Sequence, residues 1–380
     1  MFGLNGFPTI RHIDDVLPAI AGRKEFALKR GEGYVAIDYV YADGETFDDP
    51  IRRECRGIKF GTDGRIIARP YHKFFNLGEK PETQQGLIDW TLDHVVLEKL
   101  DGSMVHPALL GDALVWMTRA GITPISIDAG QHAEASGYAA QCRQLIADGF
   151  TPIFEWCSPR NQIVIRYPED RLILTAARRI ETGEYLTVDG SAFEAVRKYG
   201  QSVADLAAFL AHTRELKDQE GYVVRFHSGA MLKIKADDYV LRHKARDSLL
   251  LEKNVLKIVL EDATDDVLPL LAPDDAARLD AYRTQILAKV EGHVSRIRDA
   301  VAKAKAELGE DKKRFALEVM AGTPLIWKGP MFAIWDGRDP REAVRTTLLL
   351  RCGSQTDVDA IRPILDGMRW KAPEGEQEES

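Results

Sequence analysis

Five short charged clusters in this chain carry side chains that could do chemistry together: Arg56-Gly57, Glu98-Lys99-Leu100-Asp101-Gly102, Phe154-Glu155-Trp156, Glu220-Gly221-Tyr222-Val223 and Leu232-Lys233-Ile234-Lys235. They supply a lysine able to act as a nucleophile, carboxylates able to hold a divalent metal and cations able to grip a polyphosphate. A lysine attacks phosphorus only as a neutral amine, and an unperturbed one, with a pKa of about 10.4, is almost wholly protonated at neutral pH. A site that uses it must disfavour the ammonium by burial and by neighbouring cations. Lys99 follows the apolar run Val95-Val96-Leu97 and precedes Asp101-Gly102, which predicts an amine at the mouth of a sheet. Lys233 and Lys235, two apart on a predicted strand, share a face. They are expected to destabilise an ammonium at Lys99 and to hold an α-phosphate whose charge rises in the transition state.

The elements that must position these groups are mostly strands. Tyr34 to Tyr41, Glu54 to Phe60, Arg65 to Arg69, Val95 to Lys99, Ser103 to Leu110 and Ala113 to Thr118 are rich in β-formers. Asp43-Gly44, Asp63-Gly64, Asp101-Gly102 and Gly111-Asp112 separate them as hairpin turns, predicting that successive strands pair. Further strands are expected over Thr151 to Cys157, Gln162 to Tyr167, Arg171 to Arg179, Tyr222 to His227 and Met231 to Lys235, with helices over Ile127 to Ala147 and Ser191 to Lys198. After about Ala236 the pattern changes. Leu279, Tyr282, Ile286, Val290, Val294, Ile297, Val301 and Leu308 fall at the spacing of one helical face, and Asp247 to Leu260, Lys312 to Met320, Arg341 to Leu350 and Thr356 to Leu365 read as further helices. The fold class is therefore α+β. Antiparallel sheets with flanking helices are expected over residues 1–240, an all-helical domain over 241–370 and an acidic disordered tail over 371–380.

Composition narrows the class. With 45% hydrophobic and 29% charged residues, the chain can bury a core. No apolar run approaches the roughly 18 residues of a membrane span, so a cytoplasmic protein without membrane contact is expected. Cys55, Cys142, Cys157 and Cys352 form no Cys-x-x-Cys pair and read as reduced thiols. A net charge of −8 counts against nonspecific coating of nucleic acid, yet residues 51–75 hold seven Arg or Lys against two acids. The histidines lack metal-ligand spacing, and Gly31-Glu32-Gly33 reads as a turn rather than a phosphate loop.

Each cluster alone is common on solvated turns and strands; their order and spacing resemble the ATP-dependent RNA ligases of the first family, the bacteriophage type that repairs broken tRNA. Lys99-Leu100-Asp101-Gly102 is similar to the adenylation motif. Phe154-Glu155-Trp156 with Pro159-Arg160-Asn161-Gln162-Ile163-Val164-Ile165 is similar to the family's Phe-Glu strand and its continuation. Glu220-Gly221-Tyr222-Val223 and Leu232-Lys233-Ile234-Lys235, with Tyr239 beyond, resemble the fourth and fifth motifs. Arg56-Gly57 and Lys73-Phe74-Phe75 lie where the family places cations for the β- and γ-phosphates, and Arg119 stands where the family has a lysine.

The resemblance implies a covalent nucleotidyltransferase that uses ATP and Mg2+, with Mn2+ as a substitute. Lys99 would become Lys-AMP, the AMP would pass to an RNA 5′-phosphate, and a 3′-hydroxyl would then displace it. Lys233, Lys235 and Glu220 would be catalytic, with Glu220 and Glu155 holding the metal or orienting the nucleotide. Arg56, Lys73 and Arg119 would hold phosphates, and Glu98, Gly102 and Tyr239 would line the nucleotide site. Asp101 would contact the ribose or the catalytic amine, and Phe75, Trp156 or Val223 would wall the adenine. The substrate would be single-stranded RNA or cleaved tRNA in a bacterial cell, from a phage or cellular gene, with a separate end-healing kinase-phosphatase as partner. Arg283, Lys289, Arg296 and Lys303 on the long helix are either RNA contacts or solvated charges. The alternatives are a DNA ligase or capping enzyme, disfavoured because helices rather than a β-barrel follow the fifth motif, and a catalytically inert nucleic-acid-binding protein.

Overall fold

The computed structural model describes residues 6–186, 193–200, 203 and 205–373. The tail from residue 374 lies outside this set, as do Ser191 and Ala192. Chain contacts divide the protein into one unit reaching Val240 and a second beginning at Leu241.

The first unit is built on strands β1 (Phe26–Gly31), β2 (Tyr34–Tyr39), β3 (Arg56–Gly61), β4 (Ile66–Ala68), β5 (Phe75–Asn76), β6 (His94–Lys99) and β7 (Ser103–Leu110). They are followed by β8 (Ala113–Met117), β9 (Phe150–Cys157), β10 (Arg171–Arg179), β11 (Tyr185–Leu186), β12 (Lys198–Gly200), β13 (Gly221–Phe226) and β14 (Met231–Lys235). Three sheets result, in the orders β1-β2-β3-β4, β11-β10-β9-β7-β8 and β12-β6-β13-β14-β5. The expected hairpins form at Asp63-Gly64 and Gly111-Asp112, and β13 and β14 form another around Ser228-Gly229. Asp43-Gly44 instead leads into a helix over Pro50–Glu54, capped by Asp49, before β3 begins.

Asp101-Gly102 is not a hairpin either. β6 pairs with β12 and β13, whereas β7 pairs with β8 and β9, so the chain leaves one sheet and enters another directly after Lys99. Gly102 makes the passage possible: a Cβ there would lie 2.5 Å from the Trp156 carbonyl oxygen. The strand alternation of the third sheet sets its two faces. Val96, Tyr222, Val224, Leu232 and Ile234 join one apolar core, while Leu97 and Val223 meet Leu100, Cys157, Ile173 and Val196 on the other side. The cleft that holds the site lies on the Leu97 and Val223 side, against the second sheet.

Two further expectations give way to stronger hydrogen-bonding options. Residues 193–198 are not helical, because Leu174 N–H donates to Glu194 O and Val196 N–H to Leu174 O, and Ala195 bridges Leu174 in parallel. Gln162 to Tyr167 is not a strand, because Val164 and Ile165 give their N–H groups to the Asp101 carboxylate. The helix expected over Ile127 to Ala147 is two, Pro124–Ala135 and Ala139–Ala147, broken around Gly137.

The second unit is helical among its described residues. Its long helix, Pro273–Leu308, buries Leu279, Tyr282, Ile286, Val290, Val294, Ile297, Val301 and Ala304 in one core. Helices Glu252–Leu260, Leu325–Trp335 and Pro340–Leu349 pack on it. The cations on its outer face are answered locally: Arg283 by Asp265, Lys289 by Asp366, Lys303 by Glu307, and Arg296 by His293 and the Gly292 carbonyl. That face is ion-paired rather than a bare basic stripe.

Candidate active site

The cleft between the second and third sheets contains a cavity of about 810 Å3, counting its open mouth. Lys99, Glu220, Lys233 and Lys235 line it, with Arg56, Glu98, Glu155 and Arg225, over an apolar surface that includes Leu97, Val223, Phe74 and Met104. Strand register brings the lysines together. Gly221 on β13 lies opposite both Lys99 on β6 and Lys235 on β14, and Val223 lies opposite both Leu97 and Lys233. Gly221 is required at that crowded point, since at φ +135° a Cβ would sit 2.1 Å from the Ile234 carbonyl oxygen.

Glu220 is only 3% exposed and uses both carboxylate oxygens on lysines: Oε2 lies 2.8 Å from Lys99 Nζ and Oε1 lies 3.1 Å from Lys235 Nζ. Its position is thus between Lys99 and Lys235. Burial, reinforced by the charges of Lys99, Arg56, Lys73 and Lys235, pushes the pKa of Lys233 down to about 7. Its Nζ lies 5.1 Å from the centre of the Phe74 ring.

Asp101 does structural work. Its Oδ2 accepts from Val164 N at 2.7 Å and Ile165 N at 2.6 Å, and its Oδ1 accepts from Tyr239 Oη at 2.6 Å. It thereby ties the Lys99 loop to the 163–165 segment. Burial and then the Glu220 charge raise its pKa. The ring of Tyr239 also lies 5.1 Å from Lys235 Nζ, so it braces both ends of the site. Burial likewise raises the Glu98 carboxyl, against the pull of Arg171 and Arg197.

The proposed phosphate cations gather around a residue that no motif marked. Tyr39 Oη accepts from Arg119 at 3.0 Å and from Lys73 at 3.4 Å, and its ring lies 4.4 Å from the Arg119 guanidinium and 4.9 Å from Lys73 Nζ. Burial raises the Tyr39 phenol, but the charges of Arg56, Arg119 and Lys73 outweigh it and bring the pKa below its ordinary value. Asp38 also pairs with Arg119, at 3.3 Å. Of the three, Arg56 lines the cavity itself.

Two of the three adenine-wall candidates face elsewhere. Phe75 is buried in the core with Phe47, and Trp156 is 1% exposed and packs on His132 on the far side of its sheet. Val223 does line the cavity, as do Phe74 and Tyr71. Arg225 was also missed, although it shares the face of Gly221 and Val223 by the same two-residue spacing.

Among the described residues no three His, Cys, Asp or Glu side chains form a cage for a metal ion. Mg2+ is commonly held by one or two carboxylates together with substrate phosphates and water, and Glu155 and Glu220 in one cavity fit that arrangement.

Comparison with known proteins gives one family. The family model for RNA ligases matches residues 54–249. A protein of Thermovibrio ammonificans assigned as an RNA ligase is 30% identical over 294 residues, covering 73% of this chain and 76% of that protein. RNA ligase 1 of bacteriophage TS2126 is 29% identical over 357 residues, covering 89% of this chain and 90% of the phage protein. An archaeal ATP-dependent RNA ligase structure aligns with a TM-score of 0.46 at 18% identity, over 62% of this chain and 64% of that one.

Proposed function

The chain belongs to the RNA ligase family and is an ATP-dependent RNA ligase; from that premise we propose that it joins a 5′-phosphate to a 3′-hydroxyl RNA end through Lys99-AMP. The observation that carries the assignment of Lys99 is its placement: it ends a strand inside the cavity, against a buried carboxylate and beside two further lysines.

In the first step the Lys99 amine attacks the α-phosphorus of ATP and pyrophosphate leaves, forming a phosphorus–nitrogen bond. Glu220 is placed to take the proton that the ammonium must lose. Lys233 and Lys235 stabilise the charge growing on the α-phosphate. Arg56, Lys73 and Arg119 orient the departing pyrophosphate in line with the amine. In the second step an oxygen of the RNA 5′-phosphate displaces Lys99, which regains a proton. In the third, the 3′-hydroxyl oxygen attacks the activated phosphorus and AMP leaves. Glu155 and Glu220 would hold Mg2+, or Mn2+ in its place, which neutralises phosphate charge.

The substrates we propose are broken RNAs, tRNA among them, in the cytoplasm of a bacterial host, with end-healing by a separate kinase-phosphatase. No described helix is long and apolar enough to cross a membrane. The test uses ATP labelled at the α-phosphate with Mg2+, with and without 5′-phosphorylated single-stranded RNA, beside Lys99→Ala. Labelled, acid-labile protein that RNA chases into joined product, and that Lys99→Ala lacks, supports the proposal. Discharge by nicked DNA alone, or no labelling of folded protein, overturns it.

A further inference from the structure

Lys59 belongs to the basic stretch around Arg56, yet it is wholly buried, 0% exposed, where lysine is rarely found without partners. Its stem has room because its cross-strand neighbours are small: Ala36 on β2 and Ala68 on β4, both fully buried. Its ammonium ends among three backbone carbonyls, Gly57 O at 2.6 Å, Thr118 O at 3.0 Å and Arg119 O at 3.1 Å. An ammonium has three N–H donors and no acceptor, so this set satisfies it completely. A neutral amine would leave one carbonyl without a donor. Burial, with the charges of Arg119 and Lys29, pulls the Lys59 pKa down to about 7 against the opposing charge of Asp38.

The carbonyls come from two sheets. Gly57 lies on β3 beside Arg56, whereas Thr118 and Arg119 follow β8. The backbones touch: at Gly57, with φ +82°, a Cβ would lie 2.7 Å from Arg119 Cα. The Lys59 ammonium is thus a clasp between the two segments that carry Arg56 and Arg119, which converge with Lys73 on Tyr39.

We propose that Lys59 is a positioning residue for the polyphosphate end of ATP, fastening the Arg119 segment to the Arg56-Gly57 segment so that cations from two sheets act on one leaving group. The proposal rests on the reading of Arg56 and Arg119 as phosphate-binding. Lys59 touches no substrate. Its contribution is confined to the step that handles a triphosphate; sealing of RNA that is already adenylated has no pyrophosphate to orient.

The experiment compares Lys59→Met with the unmodified full-length protein in two assays, Lys99-AMP formation over a range of ATP concentrations and sealing of chemically pre-adenylated RNA. The expected result is a KM for ATP raised by about ten- to a hundredfold, as a misplaced binding group produces, with sealing within about twofold of the unmodified enzyme. Equal losses in both assays overturn the proposal, because they make Lys59 a support of the whole fold. An unchanged KM also overturns it. Arg119→Ala, measured in parallel, separates the two levels: if it raises KM while Lys59→Met does not, only the clasp fails, and if neither does, the phosphate reading fails with it. Should Lys59→Met not fold, Gly57→Ala, which forces the same two backbones apart, is measured by the same criteria.

Discussion

The Nζ of Lys99 lies 2.8 Å from Oε2 of Glu220, a carboxylate whose other oxygen is held by Lys235. A group so placed can lower the barrier to reaction at Lys99 by taking its proton, and it also offsets the repulsion between two ammonium groups. Glu220→Gln keeps the shape and removes both effects. Single-turnover formation of Lys99-AMP is expected to slow by about 100-fold or more, the usual scale for loss of a positioned general base. A rate within tenfold of the unmodified enzyme would sink the assignment.

Gly102 is expected to be irreplaceable even by alanine. The new Cβ would lie 2.5 Å from the Trp156 carbonyl oxygen, a backbone atom that cannot swing aside. Gly102→Ala should cost about 1–3 kcal/mol in urea denaturation, the scale of overpacking, and displace Lys99 from Glu220. Unaltered stability together with unaltered adenylation would contradict the close approach.

Lys233, with its pKa pushed down to about 7, should take up a proton when ATP binds, since phosphate charge restores the ammonium. Free protein is mostly neutral at this residue above pH 7, so uptake is expected at pH 8 and should vanish near pH 6. Titration calorimetry at pH 8 in buffers of different ionisation heat reads the uptake directly. Finding none, or finding the same uptake in Lys233→Met, would rule this out.

Glu54, 3% exposed, pairs with two buried guanidiniums, Arg178 at 2.7 Å and Arg69 at 3.1 Å. Burial raises its carboxyl, but the two arginines outweigh that and hold the pKa down to about 2. A carboxyl depressed by folding contributes stability above its unfolded pKa of about 4.3, and loses it as pH falls toward the folded value. Glu54→Gln should therefore lose about 3–5 kcal/mol at pH 7, the scale for breaking a buried pair. Its stability should also vary less than that of the unmodified protein between pH 4.5 and 2. Parallel stability curves in that window would refute the pairing.

The parts of this site that could be read in the sequence are those where spacing alone decides direction. Lys233 and Lys235 reach one face because strands alternate, and the long helix buries Leu279 through Val301 because its apolar residues recur at helical spacing. What could not be read depends on partners distant in the chain. Lys73-Phe74-Phe75 offers two rings on opposite sides, and only the packing of Phe75 on Phe47 leaves Phe74 for the cavity. The bonds of Asp101 to Val164, Ile165 and Tyr239 join segments that lie more than sixty residues apart in the chain. Lys59 is one cation among seven in residues 51–75, and nothing nearby in the sequence announces carbonyls from Thr118 and Arg119. Asp101-Gly102 has the composition of a hairpin turn, and sheet membership, a property of β9 and β13, overrules it.

That change of sheet after Lys99 gives the enzyme a built-in delay during its own synthesis. Lys99 leaves the ribosome with β6, but Glu220, Lys233 and Lys235 follow more than a hundred residues later. At roughly 5–20 residues per second, the growing chain carries Lys99 for several seconds or longer before Glu220, Lys233 and Lys235 are made. The pairing of Lys99 and Lys235 through Glu220 is therefore completed only once β14 has been made.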